Sequence, residues 1–184
     1  SDATIINNTL WLYFGTGNMQ KLQTQSSNIK NRLYGIKDKD FPDFKQVSPT
    51  GSVAQCKTGK NNCPTNNDLG WYIDLDKSKK VTAAPTVDKN LVYFPVYEPL
   101  AAANICDVGN ALLYSTKTIC GEATFRKLGK GVASEVQVVD NNLVIGISGE
   151  AEKGLDSKDN LISIRSEADK STNRIIIDGW KQID

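Results

Sequence analysis

APTVDKNLVYFPVYEP (84–99) and ALLYSTKTICGEATFR (111–126) decide the fold of this 184-residue chain. Together they read as four short strands, each closed by a turn signal. Pro85-Thr86-Val87 leads into Asp88-Lys89-Asn90, Leu91 to Tyr97 returns, Ala111 to Thr118 follows, and Thr124 to Leu128 comes after Gly121. Runs rich in Val, Leu, Tyr and Thr between Asp, Asn and Gly are the signature of strands. Residues 91, 93 and 97 face one way and residues 92, 94 and 96 the other, and both sets are apolar or aromatic. Such a strand is covered on both sides. Pro95 inside it predicts a bulge or an unpaired amide.

The unit recurs. DATIINNTLWLYFGTG (2–17) and SEVQVVDNNLVIGISGE (134–150) repeat the order of short strand, Asn/Asp turn and apolar strand. Aligned on Leu12, Leu91 and Leu143, the next strands begin at Leu33, Leu112 and Leu161, offsets of 21, 21 and 18 residues. Fourth strands follow at 70–76, 123–129 and 179–184, and they are more polar, as outer edge strands facing water should be. Four strands repeated at about 45–50 residues are how propeller blades look in sequence. The expectation is an all-β chain, a partial β-propeller of about three four-stranded antiparallel blades. Blade 1 spans about 3–80, blade 2 about 82–129 and blade 3 about 134–184. Helix is scarce, with at most a short turn within 19–32. Propellers have about four to eight blades, so three imply a larger propeller or a separate partner.

Charge is balanced, with 22 basic and 21 acidic residues. That excludes the electrostatic footprint of a nucleic-acid binder, and no apolar run reaches the eighteen or so residues of a membrane helix. SDATII at the N-terminus does not read as a signal peptide. The chain has no histidine, which removes the commonest general base and metal ligand. Ser48 and Ser115 therefore lack a base, and no GxSxG elbow occurs. Gly15-Thr16-Gly17-Asn18 lacks the third glycine and the Walker lysine of a phosphate loop, so it reads as a tight turn.

Four cysteines form two locally spaced pairs, Cys56/Cys63 and Cys106/Cys120. No CxxC occurs, and two local disulfides formed in an oxidising compartment are expected. Closing a loop of ~15 residues contributes up to about 3 kcal/mol. The first pair would staple the loop 39–69, which is dense in Gly, Pro, Asn and Ser. Asp38, Asp40 and Asp43 place three carboxylates within six residues, a calcium candidate without the glycine or bidentate Glu of a calcium loop. Asp156 and Asp159 read the same way, as a solvated loop. Lys127, Lys130, Lys153 and Lys158 are interleaved with acids as on an ordinary soluble surface. Trp71, Tyr72 and Trp180 sit in fourth strands, where they serve either partner contact or blade-to-blade packing.

Taken in order, FGTGN (14–18), RLYGIKD (32–38), GWYIDL (70–75) and TAAPTVDKNLVYFPVYEP (82–99) form a recognisable series. CDVGNALLY (106–114), GKGVASEVQVV (129–139) and a closing Gly-Trp at 179–180 complete it. The ordered set resembles the C-terminal β-propeller of PilC/PilY-type type IV pilus tip adhesins and spans nearly the whole chain. The resemblance implies a secreted, non-enzymatic module at the cell surface or fimbrium, representing the last three blades of its propeller. Its partners would be the remainder of that propeller, minor pilins, and a host or abiotic surface; nucleic acid and membrane insertion are not implied. Some members carry a calcium loop, but its D-x-D-x-N-like pattern does not occur here. Two other readings compete: a fragment of a secreted quinone-dependent dehydrogenase propeller, of whose A-x-D-x-x-T-G-K-x-x-W pattern LYSTKTICGEATFR keeps only the outline, and an extracellular glycan- or matrix-binding propeller.

Overall fold

A computed structural model describes residues 1–38, 40–43, 53–55, 64–65, 68–76, 78–100 and 108–168. It is an all-β protein built from three antiparallel sheets. Sheet A comprises β1 (Asp2–Ile6), β2 (Thr9–Gly15), β3 (Asn31–Asp38), β4 (Val53–Gln55) and β5 (Gly70–Leu75), in the order β1-β2-β3-β5-β4. Sheet B holds β6 (Lys80–Val81), β7 (Thr86–Asp88), β8 (Leu91–Glu98), β9 (Asn110–Lys117) and β10 (Ala123–Lys130). Its order is β10-β9-β8-β6, with β7 also on β8. Sheet C is made of β11 (Gln137–Val139), β12 (Asn142–Gly146), β13 (Asp156–Lys158) and β14 (Leu161–Arg165), ordered β11-β12-β14-β13. Between β2 and β3 lies a single 3₁₀ turn, Met19–Lys21, whose Gln20 N–H donates to Asn18 Oδ1 at 2.9 Å.

Four two-residue turns set the register. Asn7-Asn8 joins Ile6 to Thr9, Lys89-Asn90 joins Asp88 to Leu91, Asp140-Asn141 joins Val139 to Asn142, and Asp159-Asn160 joins Lys158 to Leu161. Asn7, Asn8, Lys89, Asp140, Asn141, Asp159 and Asn160 all have φ between 47° and 63°. That backbone twist matches the twist of paired strands, and Asn and Asp tolerate it better than other side chains. The residue two places after each turn, Leu10, Val92, Leu143 or Ile162, is buried at 9% exposure or less.

This corrects the leucine alignment. Leu91 directly follows its turn, Leu143 lies one residue further and Leu12 three residues further, so they are not equivalent. Leu12 is 37% exposed whereas Leu143 is 2%. The hairpin is the repeating element, and among the described residues it occurs four times, twice in sheet C. There the position beside β14 is held by β13, which pairs with it at Asp156↔Ser163, Ser157↔Ile162 and Lys158↔Leu161. The segment 179–184, expected as a fourth strand, lies outside the described residues. Two further differences concern boundaries: Lys80–Val81 pairs with β8 and belongs to sheet B, and β4, within the expected loop 39–69, pairs in parallel with β5.

Two apolar clusters hold the sheets together. The first joins Trp11, Tyr13, Leu33, Trp71 and Ile73 of sheet A to Val92, Phe94, Val96, Leu112 and Tyr114 of sheet B. The second joins Tyr93, Ala111, Leu113 and Leu128 of sheet B to Leu143, Ile145 and Ile162 of sheet C. Sheet B is thus the middle layer, buried on both faces, as the alternation in 91–97 predicts. Pro95 fits because its missing N–H would point into the gap between β6 and β7, where Thr82 N–H instead donates to the Pro95 carbonyl at 3.0 Å.

Gly35 lies opposite Trp71 in the β3–β5 pair, and a Cβ on it would enter the indole. Trp71→Ala should lower stability by about 3–5 kcal/mol and Gly35→Ala by about 1–3 kcal/mol through overpacking. Phe14→Ala, on the opposite face of sheet A, should cost under about 1 kcal/mol. Guanidinium unfolding midpoints of the three variants measure the contrast.

Candidate interaction surface

The contacts between sheets repeat with a fixed polarity. Counting from each hairpin turn, one face of β8 carries Val92, Phe94 and Val96 and packs on sheet A. The other carries Leu91 and Tyr93 and packs toward sheet C. In β12 the equivalents of Val92 and Phe94 are Leu143 and Ile145, and these face sheet B. In β2 the equivalent of Tyr93 is Trp11, which faces sheet B, while those of Phe94 and Val96 are Leu12 and Phe14. Each sheet therefore lays the same side against the sheet before it. Sheet A has that side as well, and none of its residues belongs to either cluster.

Polar contacts follow the same polarity. Tyr13 donates its hydroxyl hydrogen to the Thr118 carbonyl at 3.2 Å, and Trp71 Nε1–H donates to the same oxygen at 2.9 Å. Thr118 follows β9, and its N–H donates to the Asn90 carbonyl at 2.9 Å. Ser166, the matching residue after β14, donates from N–H to the Asn141 carbonyl at 2.8 Å. Its Oγ lies 3.0 Å from the Tyr93 hydroxyl and 2.7 Å from Asp88 Oδ2. The first strands are linked as well: Val87 N–H donates to Asp2 Oδ2 at 2.7 Å, and Thr86 Oγ1 to the Val136 carbonyl at 2.8 Å. These pairings spare the donors and acceptors involved the cost of being desolvated alone, whereas Thr116 Oγ1 and Asn110 Oδ1, on the side of sheet B that meets sheet A, are buried without a partner among the described residues.

The outer side of sheet A carries rings. Phe14, 38% exposed, stacks on Tyr34 with centroids 4.9 Å apart, and Tyr34 meets Tyr72 at 6.1 Å. The Arg32 guanidinium lies 4.4 Å from the Tyr72 ring centre and donates from Nε to Asp74 Oδ1 at 2.6 Å. Held by Tyr34 first and by Asp74 second, the guanidinium keeps its proton even more firmly than usual. Tyr72 therefore lies on this outer side, partly buried beside Tyr34 and Arg32. Trp71, its neighbour, does not: it is fully buried against sheet B, edge-on to Phe94, and acts in packing between sheets. Trp180 is outside the described residues.

A cleft beside the C-terminal ends of β5 and β8 is lined by Ser26, Ile29, Lys30, Asp76 and Glu98. At its base Lys79 Nζ donates to Asp76 Oδ1 at 2.7 Å and to the Tyr114 hydroxyl at 3.2 Å, with Glu98 Oε1 at 3.6 Å. Burial works to lower the Lys79 pKa, but Asp76 and Tyr114 outweigh it and the ammonium is stabilised. Lys80, 1% exposed, donates to the carbonyls of Thr24 and Ser78, and burial lowers its pKa. These cations brace the start of sheet B.

Asp38, Asp40 and Asp43 surround a turn with a cis Phe41–Pro42 bond, where Asp40 N–H donates to Asp38 Oδ1 at 3.1 Å and Asp43 N–H to the Asp40 carbonyl at 2.7 Å. Among the described residues no group of three or more acidic or cysteine side chains gathers as a metal site would. Gly15 and Gly17 pack against Val81 and Lys80, and the Thr16 carbonyl accepts from Val81 N–H at 3.1 Å, so this turn joins sheets A and B. Lys127 pairs with Glu152 at 2.8 Å. Cys120 is 2% exposed, while Cys56, Cys63 and Cys106 lie outside the described residues. No described helix is long and apolar enough to cross a membrane. The sequence reading missed Phe14, Tyr34 and Arg32; their signal was alternation in β2 and β3, with rings on the side opposite Trp11 and Leu33. Comparison with protein-family models, curated proteins and solved structures found no match.

Burial raises the pKa of Tyr13, Tyr93 and Tyr114 above the ordinary value of 10.0. Above that pH the unfolded chain loses phenol protons that the folded chain keeps, so stability falls as pH rises. Thermal midpoints should drop above pH 10, and phenolate absorbance at these sites should appear together with unfolding. Tyr13→Phe should make the drop shallower.

Proposed function

We propose that this chain is a non-enzymatic extracellular module of the PilC/PilY type, a partial β-propeller at the tip of a type IV pilus. It packs against the remainder of its propeller and against minor pilins, and it supports pilus assembly and surface attachment. The observation that carries this reading is the constant polarity of sheet stacking, which leaves the ring-bearing side of sheet A outside both apolar clusters. The segments behind the family resemblance act in that stacking. RLYGIKD and GWYIDL supply β3 and β5, FGTGN ties sheet A to β6, and TAAPTVDKNLVYFPVYEP supplies the doubly buried strand of sheet B.

Pull-down from native filaments followed by intact-mass analysis tests the proposal: minor pilins should accompany the chain. Filaments that assemble and adhere normally without this protein would overturn it. A bound quinone chromophore would instead select the dehydrogenase reading, and glycan-array binding without pilin affinity the matrix-binding one. The reading also places the chain in an oxidising compartment, with Cys56–Cys63 and Cys106–Cys120 as the pairs. Non-reducing peptide mapping should recover both links. Reduction should lower the thermal midpoint, the longer loop contributing up to about 3 kcal/mol.

A further inference from the structure

We infer that the outer face of sheet A, formed by Leu12, Phe14, Tyr34, Ile36 and Tyr72, is a docking face for one more antiparallel sheet. That sheet precedes sheet A in the same polypeptide. The inference rests on the stacking used above and is independent of the pilus assignment.

Three observations carry it. In sheets B and C the side equivalent to Leu12 and Phe14 is buried against the previous sheet, by Val92, Phe94 and Val96 in one case and Leu143 and Ile145 in the other. Spatial order also follows chain order: sheet A lies on sheet B, and B on C, always in the same sense. A sheet seated on the open side of A is therefore the one that comes before it, presenting the face whose counterparts here are Trp11, Tyr13 and Trp71 in sheet A and Tyr93 in sheet B.

The chemistry of the face fits a packed sheet better than a sugar. A sugar-binding platform needs free ring faces. Phe14 and Tyr34 turn theirs onto each other, 19° from parallel, and the Arg32 guanidinium covers Tyr72. Ring edges and aliphatic groups remain, the surface that interdigitates when sheets pack about 10 Å apart. Leu12 and Phe14 are 37% and 38% exposed, whereas their counterparts Phe94 and Val96 are fully buried. An exposed apolar patch of this kind marks an interaction site.

Nitration by tetranitromethane, read by peptide mass spectrometry, tests the inference on two samples: the isolated 184-residue chain and the protein purified from its source. In the isolated chain Tyr34 and Tyr72 should react while buried Tyr13 and Tyr93 do not. In the source protein, Tyr34 and Tyr72 should react at least about tenfold more slowly, because a packed interface excludes the reagent. The denatured source polypeptide should extend N-terminally of Ser1. Phe14→Glu in the source protein should restore reactivity at Tyr34 and Tyr72, yet lower the thermal midpoint of the isolated chain only slightly, since it removes one half-exposed ring contact. Equal reactivity in the two samples would overturn the inference. So would protection of the isolated chain that grows with concentration as its mass doubles, which would identify a second copy as the occupant, or protection by a separate polypeptide. Protection without accompanying pilins would leave the docking face standing and remove the pilus assignment.

Discussion

Sheet B has two apolar faces, and the rest of the molecule follows from the need to cover both. Val92, Phe94 and Val96 on one side of β8, and Tyr93 on the other, are all buried at 2% exposure or less. At about 25 cal/mol per Å² of apolar surface, leaving either side in water would forfeit several kcal/mol. A hairpin alone cannot supply such cover, and a second sheet supplies only half of it. Sheets A and C each take one side, and Leu33, Trp71, Ile145 and Ile162 are buried in doing so.

Covering a face is not enough, since the layers also need a fixed register. That comes from turns that admit little variation. Two-residue turns, with both residues at positive φ in three of the four and Lys89 alone in the other, join the hairpins tightly, so a one-residue slip would turn every buried side chain to the wrong side. Between layers, large rings with polar ends do the same work. Tyr13 and Trp71 converge on one carbonyl of Thr118, and Tyr93 reaches Ser166, which is itself tied to Asp88. Each ring buries its body among aliphatic groups and finds a partner for its polar atom. The result is a directional stack in which each sheet meets its neighbours through different faces. Such a heterologous contact does not terminate itself, and it continues until a ring closes or a different surface caps it. Among the described residues the stack ends at two sides outside both apolar clusters, that of Leu12 and Phe14 on sheet A and that of Val144 and Leu161 on sheet C.

The lysines beside the first junction show how charge was accommodated. Lys80 is buried against backbone carbonyls, and Lys79 beneath Tyr114 is held by Asp76 and Glu98. An ammonium so placed is tolerable only because acceptors and carboxylates replace water. These residues close the strand ends next to the interruption at Pro95.

Much of this was legible in residue order. Strand periodicity, Asn/Asp turns and the doubly apolar run at 91–97 are local properties, and they determined an all-β chain, its hairpins and a strand buried on both sides. Tertiary structure decided the rest, for a physical reason in each case. Leucine spacing misaligned the repeats because the invariant is the turn, and a leucine beside one turn matches a valine or isoleucine beside another. Hairpin 156–165 escaped notice because its first strand, Asp-Ser-Lys, is polar; it earns its place at a sheet edge by pairing, which composition does not record. Trp71 and Tyr72 are adjacent in sequence and point to opposite sides of one strand, so only knowing which side meets sheet B separates a core residue from a surface one. That choice belongs to packing among distant segments, and no window of sequence contains it.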